Sequence, residues 1–282
     1  MGRRVFGWMR TLATGYLPMI PFLLFALFPF YFMFITALKK DNELYNLKSA
    51  PFWISKGVTF DHYSFLLRET PFLTWVTNTV IVSVLATLLS VAIGILAAHS
   101  LARLRFRGVD SFAIAIFITY LVPPTLLFLP LTQIVNTLGL SDSIWSLVIT
   151  YPTFLVPFST WLLMGYFKTI PKEIEECAMI DGCSRFQTLV RIVLPAAVPG
   201  IICAVLFAFT ISWNEFLYSL TFISPTESKT LTVGVVAELI RGDIYYWGSL
   251  MAGAVMGSLP IVIIYVFFMD YFVSGLTAGA IK

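Results

Sequence analysis

Charge is scarce in this chain. Of its 282 residues only 12% are charged, whereas 59% are hydrophobic. A soluble domain of this size could not keep so much apolar surface from water, so the composition indicates a multi-span membrane protein. The net charge is only +3, and no basic patch is interleaved with aromatics, which argues against nucleic acid as a partner. Histidine and cysteine are nearly absent, at two and three residues. Cys177, Cys183 and Cys203 have no His or Cys partner at metal-ligand spacing, so neither a metal site nor a disulfide framework is expected. They read as small space-fillers. No G-x-x-x-x-G-K-[ST] occurs, because Lys168-Thr169 and Lys229-Thr230 lack the preceding glycine loop that cradles phosphates. H-E-x-x-H and G-x-S-x-G are also missing. Without catalytic machinery, any work the chain performs must be powered by another polypeptide.

Long apolar runs are plentiful. Six of them predict an all-α polytopic membrane protein with spans at about 16–38, 75–98, 112–134, 144–167, 198–223 and 246–272. Residues 1–14 carry Arg3, Arg4 and Arg10 and no acid. The run that follows is too long for a signal-peptide core and has no small-residue cleavage site, so it reads as a retained anchor in a single transmembrane domain, 15–282. Pro123, Pro124 and Pro130 fall inside the third run and predict a kinked or broken helix. Gly253 and Gly257 in the sixth permit close helix contact. The polar connection 39–73 is rich in aromatics suited to a membrane interface, and His62 within it reads as a surface residue.

The longest polar stretch of the second half is 168–195. Pro171 stands where a helix would begin, followed by Glu173, Glu175 and Glu176, which suit a helix N-terminus. Gly182 ends that helix, Ser184 caps a second, and Pro195 stops it. Glu176, Ala178, Gly182, Ile192, Leu194 and Pro195 stand at the offsets of E-A-A-x-x-x-G-x(9)-I-x-L-P, with Cys177 replacing the first Ala. This resembles the EAA coupling loop of the membrane-spanning subunits of ATP-binding-cassette importers. Trp213-Asn214-Glu215-Phe216 in the fifth run, Asn78-Thr79 at the start of the second and the terminal FVSGLTAGAIK extend the likeness to nearly the whole chain. It is similar to the carbohydrate-uptake permeases, in particular the six-span maltose-system type.

The resemblance implies a second homologous permease subunit, an ATPase dimer holding ATP and Mg, an extracytoplasmic solute-binding protein, a sugar substrate and a surround of lipid. No cofactor is expected in this chain. It further implies that Glu176 is the polar anchor of the docking loop, that Ala178 and Gly182 allow close approach, and that Cys177, Asp181, Ile192, Leu194 and Pro195 complete the coupling surface. Positively charged residues favour the cytoplasmic side. Eleven of the eighteen Lys and Arg lie in the terminal segments, the loop after span two and the docking loop, and seven lie opposite. The termini and the docking loop are therefore expected in the cytoplasm of an inner-membrane protein.

Glu215 is the sharpest candidate for a substrate contact, since a carboxylate within a span faces a cavity or a partner. Trp213, Asn214 and Glu215 together supply the planar polar groups and aromatic faces that bind sugars; Asn78, Gln133 and Asn136 are further candidates. The alternative for Glu215 is an interhelical hydrogen bond. Alternatives for the whole are an importer of a polyol, glycerol phosphate or oligosaccharide, and an ion-coupled secondary transporter. Within the former, a phosphate ester would favour a cationic cavity residue, which this chain does not offer, whereas a polyol or an oligosaccharide stays open; the latter would need midplane charges in several spans, where Glu215 is nearly alone.

Overall fold

A computed structural model describes residues 15–277 and divides them into two compact units, the first from residues up to Thr70 together with Val235–Leu259, the second from Pro71–Gly234 together with the segment from Pro260.

The first unit begins with helix α1, Met19–Leu38, whose 20 residues suffice to cross a bilayer. After it the chain folds back on itself. Lys39 pairs with Val58 in an antiparallel bridge, and a single turn, Asp41–Leu44, leads into an irregular segment closed by α2, Asp61–Glu69. Two buried charges organise this segment. The Glu43 carboxylate accepts the backbone N–H groups of Ser55 and Lys56, both at 2.9 Å, and the Lys39 ammonium donates to the carbonyls of Ala50 and Pro51. His62 is buried rather than on the surface, correcting the expectation. It shares the inward face of α2 with Leu66, one turn on, and its Nε2 lies 2.8 Å from the Lys39 carbonyl. A two-stranded hairpin, β1 Ile240–Arg241 and β2 Ile244–Tyr245, precedes the last helix, and Tyr45 donates to the Tyr245 carbonyl.

Burial raises the pKa of Glu43, but the two amides and the Lys39 ammonium outweigh it and hold the carboxyl below its ordinary value of 4.5. The folded value lies below the unfolded one. The stabilisation is therefore complete above the unfolded value and is lost as the pH falls through the folded one. Hydrogen exchange at the Ser55 and Lys56 amides is expected to stay protected at neutral pH and to lose protection on acidification, and Glu43→Gln should abolish that dependence.

The second unit is built on α3, Phe72–Arg103. Its 32 residues run roughly 48 Å at the α-helical rise, longer than a hydrocarbon core of about 30 Å. It is therefore long enough to extend beyond the apolar layer. Two bent elements follow. Helices α4, Val109–Leu121, and α5, Pro124–Thr137, meet at 92°, because Pro123 and Pro124 cannot continue the hydrogen-bond ladder. The break anticipated from the prolines is present. Helices α6, Ile144–Thr150, and α7, Pro152–Phe167, form one apolar run with Pro152 in the first turn of α7, where a proline costs no hydrogen bond. Helix α7 packs closely on α3, where a Cβ on Gly94 would stand 2.9 Å from the Ser159 Cβ and 3.3 Å from the Thr160 backbone N.

Helices α8, Lys172–Ile180, and α9, Arg185–Thr188, carry the polar stretch. Gly182 between them has φ +93, a conformation glycine adopts freely. Ser184 caps α9 in a reciprocal box with Gln187. Pro195 does not stop this helix, contrary to expectation. A wide π turn, Leu189–Val193, lets the Leu194 N–H reach the Leu189 carbonyl, and the run continues to Ala196 before bending 80° into α10, Val198–Trp213. The wide turn relieves the clash a proline ring makes with the preceding turn.

The fifth apolar run is also not one helix to residue 223. Helix α10 ends at Trp213, and a short α11, Leu217–Phe222, follows a break at Asn214–Phe216. Helix α12, Leu231–Leu239, and the long α13, Trp247–Thr277, complete the chain. Among the described residues four helical runs are long and apolar enough to cross a membrane, or six if each bent pair counts as one. The protein is a helical, multi-pass membrane protein.

Candidate functional site

Two constellations stand out, one at the polar loop and one at the break in the fifth run. In the loop, α8 is turned the opposite way to an ordinary surface helix. Glu175 is 7% exposed, whereas Ile180 is 83% exposed. Glu175 and Ala178, three apart, face inward; Glu176, Met179 and Ile180, spaced i, i+3, i+4, form one outward face. Phe186 on α9 is exposed beside them in sequence, as are Ile174 and Val190. Apolar side chains outward and an acid inward mark a surface built to be covered.

The buried acid has two basic neighbours from the end of α3. The Arg103 guanidinium pairs with Glu175 and donates a second bond to the Ile170 carbonyl at 2.8 Å. The His99 Nε2 lies 3.6 Å from the other Glu175 oxygen, and its ring packs edge-on against Phe167. Beside this cluster is a cleft of about 380 Å³ lined by Arg105, Lys172, Glu176 and Arg185 among others. Glu176 is exposed on the outer face. Cys177 and Asp181 are exposed as well, so Cys177 is not a space-filler in this chain, whereas Cys203 is buried. Ile192 and Leu194 are half-buried beside the buried Val193.

At the other constellation, Glu215 closes the break after α10. Its carboxylate accepts the Tyr218 N–H at 2.7 Å, the Ser219 N–H at 3.2 Å and the Tyr151 hydroxyl at 2.8 Å. It thus caps α11, satisfying amides that a helix N-terminus leaves open. Tyr218 in turn donates its hydroxyl to the Pro124 carbonyl, 3.2 Å away, at the bend between α4 and α5. The two broken runs are tied together through Tyr218, and both tyrosine rings are fully buried. Irregular backbone at membrane depth persists only where protein or a water-filled cavity meets it.

The predicted pathway residues are not gathered into one pocket. Trp213 is buried and packs on Phe209. Asn214 is exposed, with its amide turned back to the Thr210 carbonyl. Asn78 donates to the Glu227 and Lys229 carbonyls, holding the segment after α11 against α3. Gln133 is exposed, and Asn136 accepts a bond from Ser141. Sequence reasoning missed Glu175, Arg103, His99, Tyr151 and Tyr218. The only advance signal for the first three was a polar cluster at the end of an apolar run.

Residues 90–278 match the family model described as "binding-protein-dependent transport system inner membrane component". The chain is 37% identical to the inner membrane ABC transporter permease protein YcjP of Escherichia coli, over 93% of each chain. It is 34% identical to the diacetylchitobiose uptake system permease protein DasC of Streptomyces coelicolor, over 90% of this chain and 91% of that protein. Among solved structures its fold is similar to a chain of a bacterial ABC transporter involved in import of the acidic polysaccharide alginate, with TM-score 0.76 and 22% identity over 95% of this chain and 97% of the other.

Proposed function

Since the chain belongs to the family of inner membrane components of binding-protein-dependent transport systems, we propose that it is one of two permease subunits of an ATP-binding-cassette sugar importer. In this reading it forms half of the translocation pathway and crosses the membrane six times, four times by uninterrupted runs and twice by bent ones. A second permease, an ATPase dimer that supplies the hydrolysis, and an extracytoplasmic solute-binding protein complete the assembly. Arginine and lysine bias supports termini and docking loop in the cytoplasm. A sugar as substrate is supported by the name of the diacetylchitobiose relative. Asn214 and Gln133 are the exposed candidates for the pathway. Trp213, Glu215 and Asn78 act in it by shaping the wall.

The observation that carries the reading is the inverted face of α8. Glu176, Met179 and Ile180, with Phe186 on α9, present an acid set among apolar side chains. Such a face suits a groove on an ATPase subunit. Ala178 and Gly182 keep the loop compact, and Ile192, Leu194 and Pro195 seat the second helix at the membrane base. Closure of the ATPase on ATP then moves the loop as a lever on the spans.

Removing one partner of a charge pair buried in an interface costs about 2–5 kcal/mol of binding, and a reversed charge at the same place costs at least as much. Glu176→Lys is therefore expected to weaken ATPase association by roughly thirtyfold or more and to abolish ATP-driven sugar uptake in vesicles. Intact association and uptake in that variant, or solute movement without any ATPase, would defeat the proposal.

A further inference from the structure

Helix α8 is joined by short segments to α7, through 168–171, and to α9, through 181–184. Both connections lie along the chain itself. The Arg103–Glu175 pair supplies a further attachment, to a segment seventy-two residues away in sequence. The pair is enclosed: the side chains of Arg103 and Glu175 are 6% and 9% exposed. The guanidinium uses two arms, one on the carboxylate and one on the Ile170 carbonyl, so it grips both α8 and the turn that leads into it. His99 closes the other side of the carboxylate and stacks edge-on upon Phe167 at the end of α7. Its Nε2 makes no hydrogen bond although it is buried.

An enclosed ion pair is a weak source of stability, because desolvation offsets the Coulomb gain; its best-attested use is to fix geometry. Here the geometry it fixes joins the loop to α3, and α3 in turn meets α7 at the close approach of Gly94. From this arrangement we infer that Arg103 and Glu175 are positioning residues for coupling. They fasten the docking loop to α3, so that a displacement of α8 reaches the packed spans without slack in the hinge. His99 stands against the other oxygen of Glu175 and closes that side of the site to water. The inference rests on the docking reading above and assigns Glu175 and Glu176 opposite tasks: the first holds the loop to its own chain, and the second faces the partner.

The test uses the whole assembly in proteoliposomes: this chain, its partner permease, the ATPase and the binding protein. Three quantities are read, namely ATPase co-purification, ATP hydrolysis and sugar moved per ATP. Arg103→Glu and Glu175→Arg are each expected to retain the ATPase and its hydrolysis while sugar moved per ATP falls about tenfold or more, since each leaves an enclosed charge without its partner. The double swap should recover transport to within about threefold of the parent, because additivity fails for residues in contact. Arg103→Lys, which keeps the charge but has one arm, should fall between. A role in stability alone would lower protein yield and hydrolysis together and leave sugar per ATP unchanged, and that result overturns the inference. So does a double swap no better than either single change. If the charge reversals do not assemble, Arg103→Lys decides: a parental ratio of sugar to ATP sinks the idea and a reduced one supports it. Uptake by the parent assembly without the ATPase would instead overturn the importer reading itself.

Discussion

Replacing Glu215 with Ala is expected to cost about 3 kcal/mol of stability or more, since three buried donors lose the acceptor they share. The carboxylate is the acceptor for a fully buried Tyr151 hydroxyl and for the N–H groups of Tyr218 and Ser219. Alanine leaves all three without it, and each unsatisfied buried group costs about 1–3 kcal/mol. Against a total of about 5–15 kcal/mol, folded protein should fall severely. Glu215→Gln is the informative companion. Its carbonyl oxygen can keep the Tyr218 N–H, and the Tyr151 hydroxyl can rotate to accept from the side-chain nitrogen, which leaves only the longer Ser219 N–H bond unmet, so a good part of the stability should survive. The measurement is the thermal midpoint and yield of detergent-solubilised protein, beside the apparent affinity for sugar. A stable Glu215→Ala with altered sugar preference would return Glu215 to the role of substrate contact and remove it as the cap of the broken span.

The second large effect is expected at Gly94. The Cβ of any other residue would approach the Ser159 Cβ to 2.9 Å and the Thr160 backbone N to 3.3 Å. Backbone cannot rotate aside as a flexible side-chain tip can. Gly94→Ala should therefore cost about 1–3 kcal/mol by overpacking, and Gly94→Leu should prevent α3 and α7 from seating. Gly165, on α7, is the control. Nothing lies within 4 Å of a Cβ placed there, so Gly165→Ala should be neutral or stabilise by about 0.5–1 kcal/mol through reduced backbone freedom. Thermal midpoints of the two alanine variants should shift in opposite directions or, at the least, only that of Gly94→Ala should fall. Equal midpoints would mean that the α3–α7 contact is looser than described.

Much of the fold is legible in the sequence because solvent sorting in a membrane is strict. Long apolar runs locate the helices, and prolines 123 and 124 locate one break, since proline removes a specific hydrogen bond. The break after Trp213 has no such marker. Asn214, Glu215 and Phe216 are all tolerated in helices, and only the pull of Tyr151 and of the α11 amides on Glu215 opens the chain there. Pro195 misleads in the opposite sense, because the π turn before it absorbs what would have been a clash. At the docking loop, the motif offsets single out Glu176. They say nothing of Glu175, since two adjacent acids on a helix are distinguished only by which faces the core, and that depends on Arg103 seventy-two positions earlier. His62 was misread for the same reason. Its partner is a backbone carbonyl, and no residue type advertises one.

The π turn at Leu189–Val193 holds one more residue than an α turn. That surplus is taken up within the turn, so the helix on either side keeps its phase, whereas an extra residue in ordinary α winding rotates everything beyond it by about 100°. Deleting one residue here should therefore restore α winding and leave Phe186 facing nearly as it does now, whereas deleting one from α10 should turn the loop by roughly that angle relative to the spans. The turn is a place where the length of the chain can vary by a residue without re-aiming the loop.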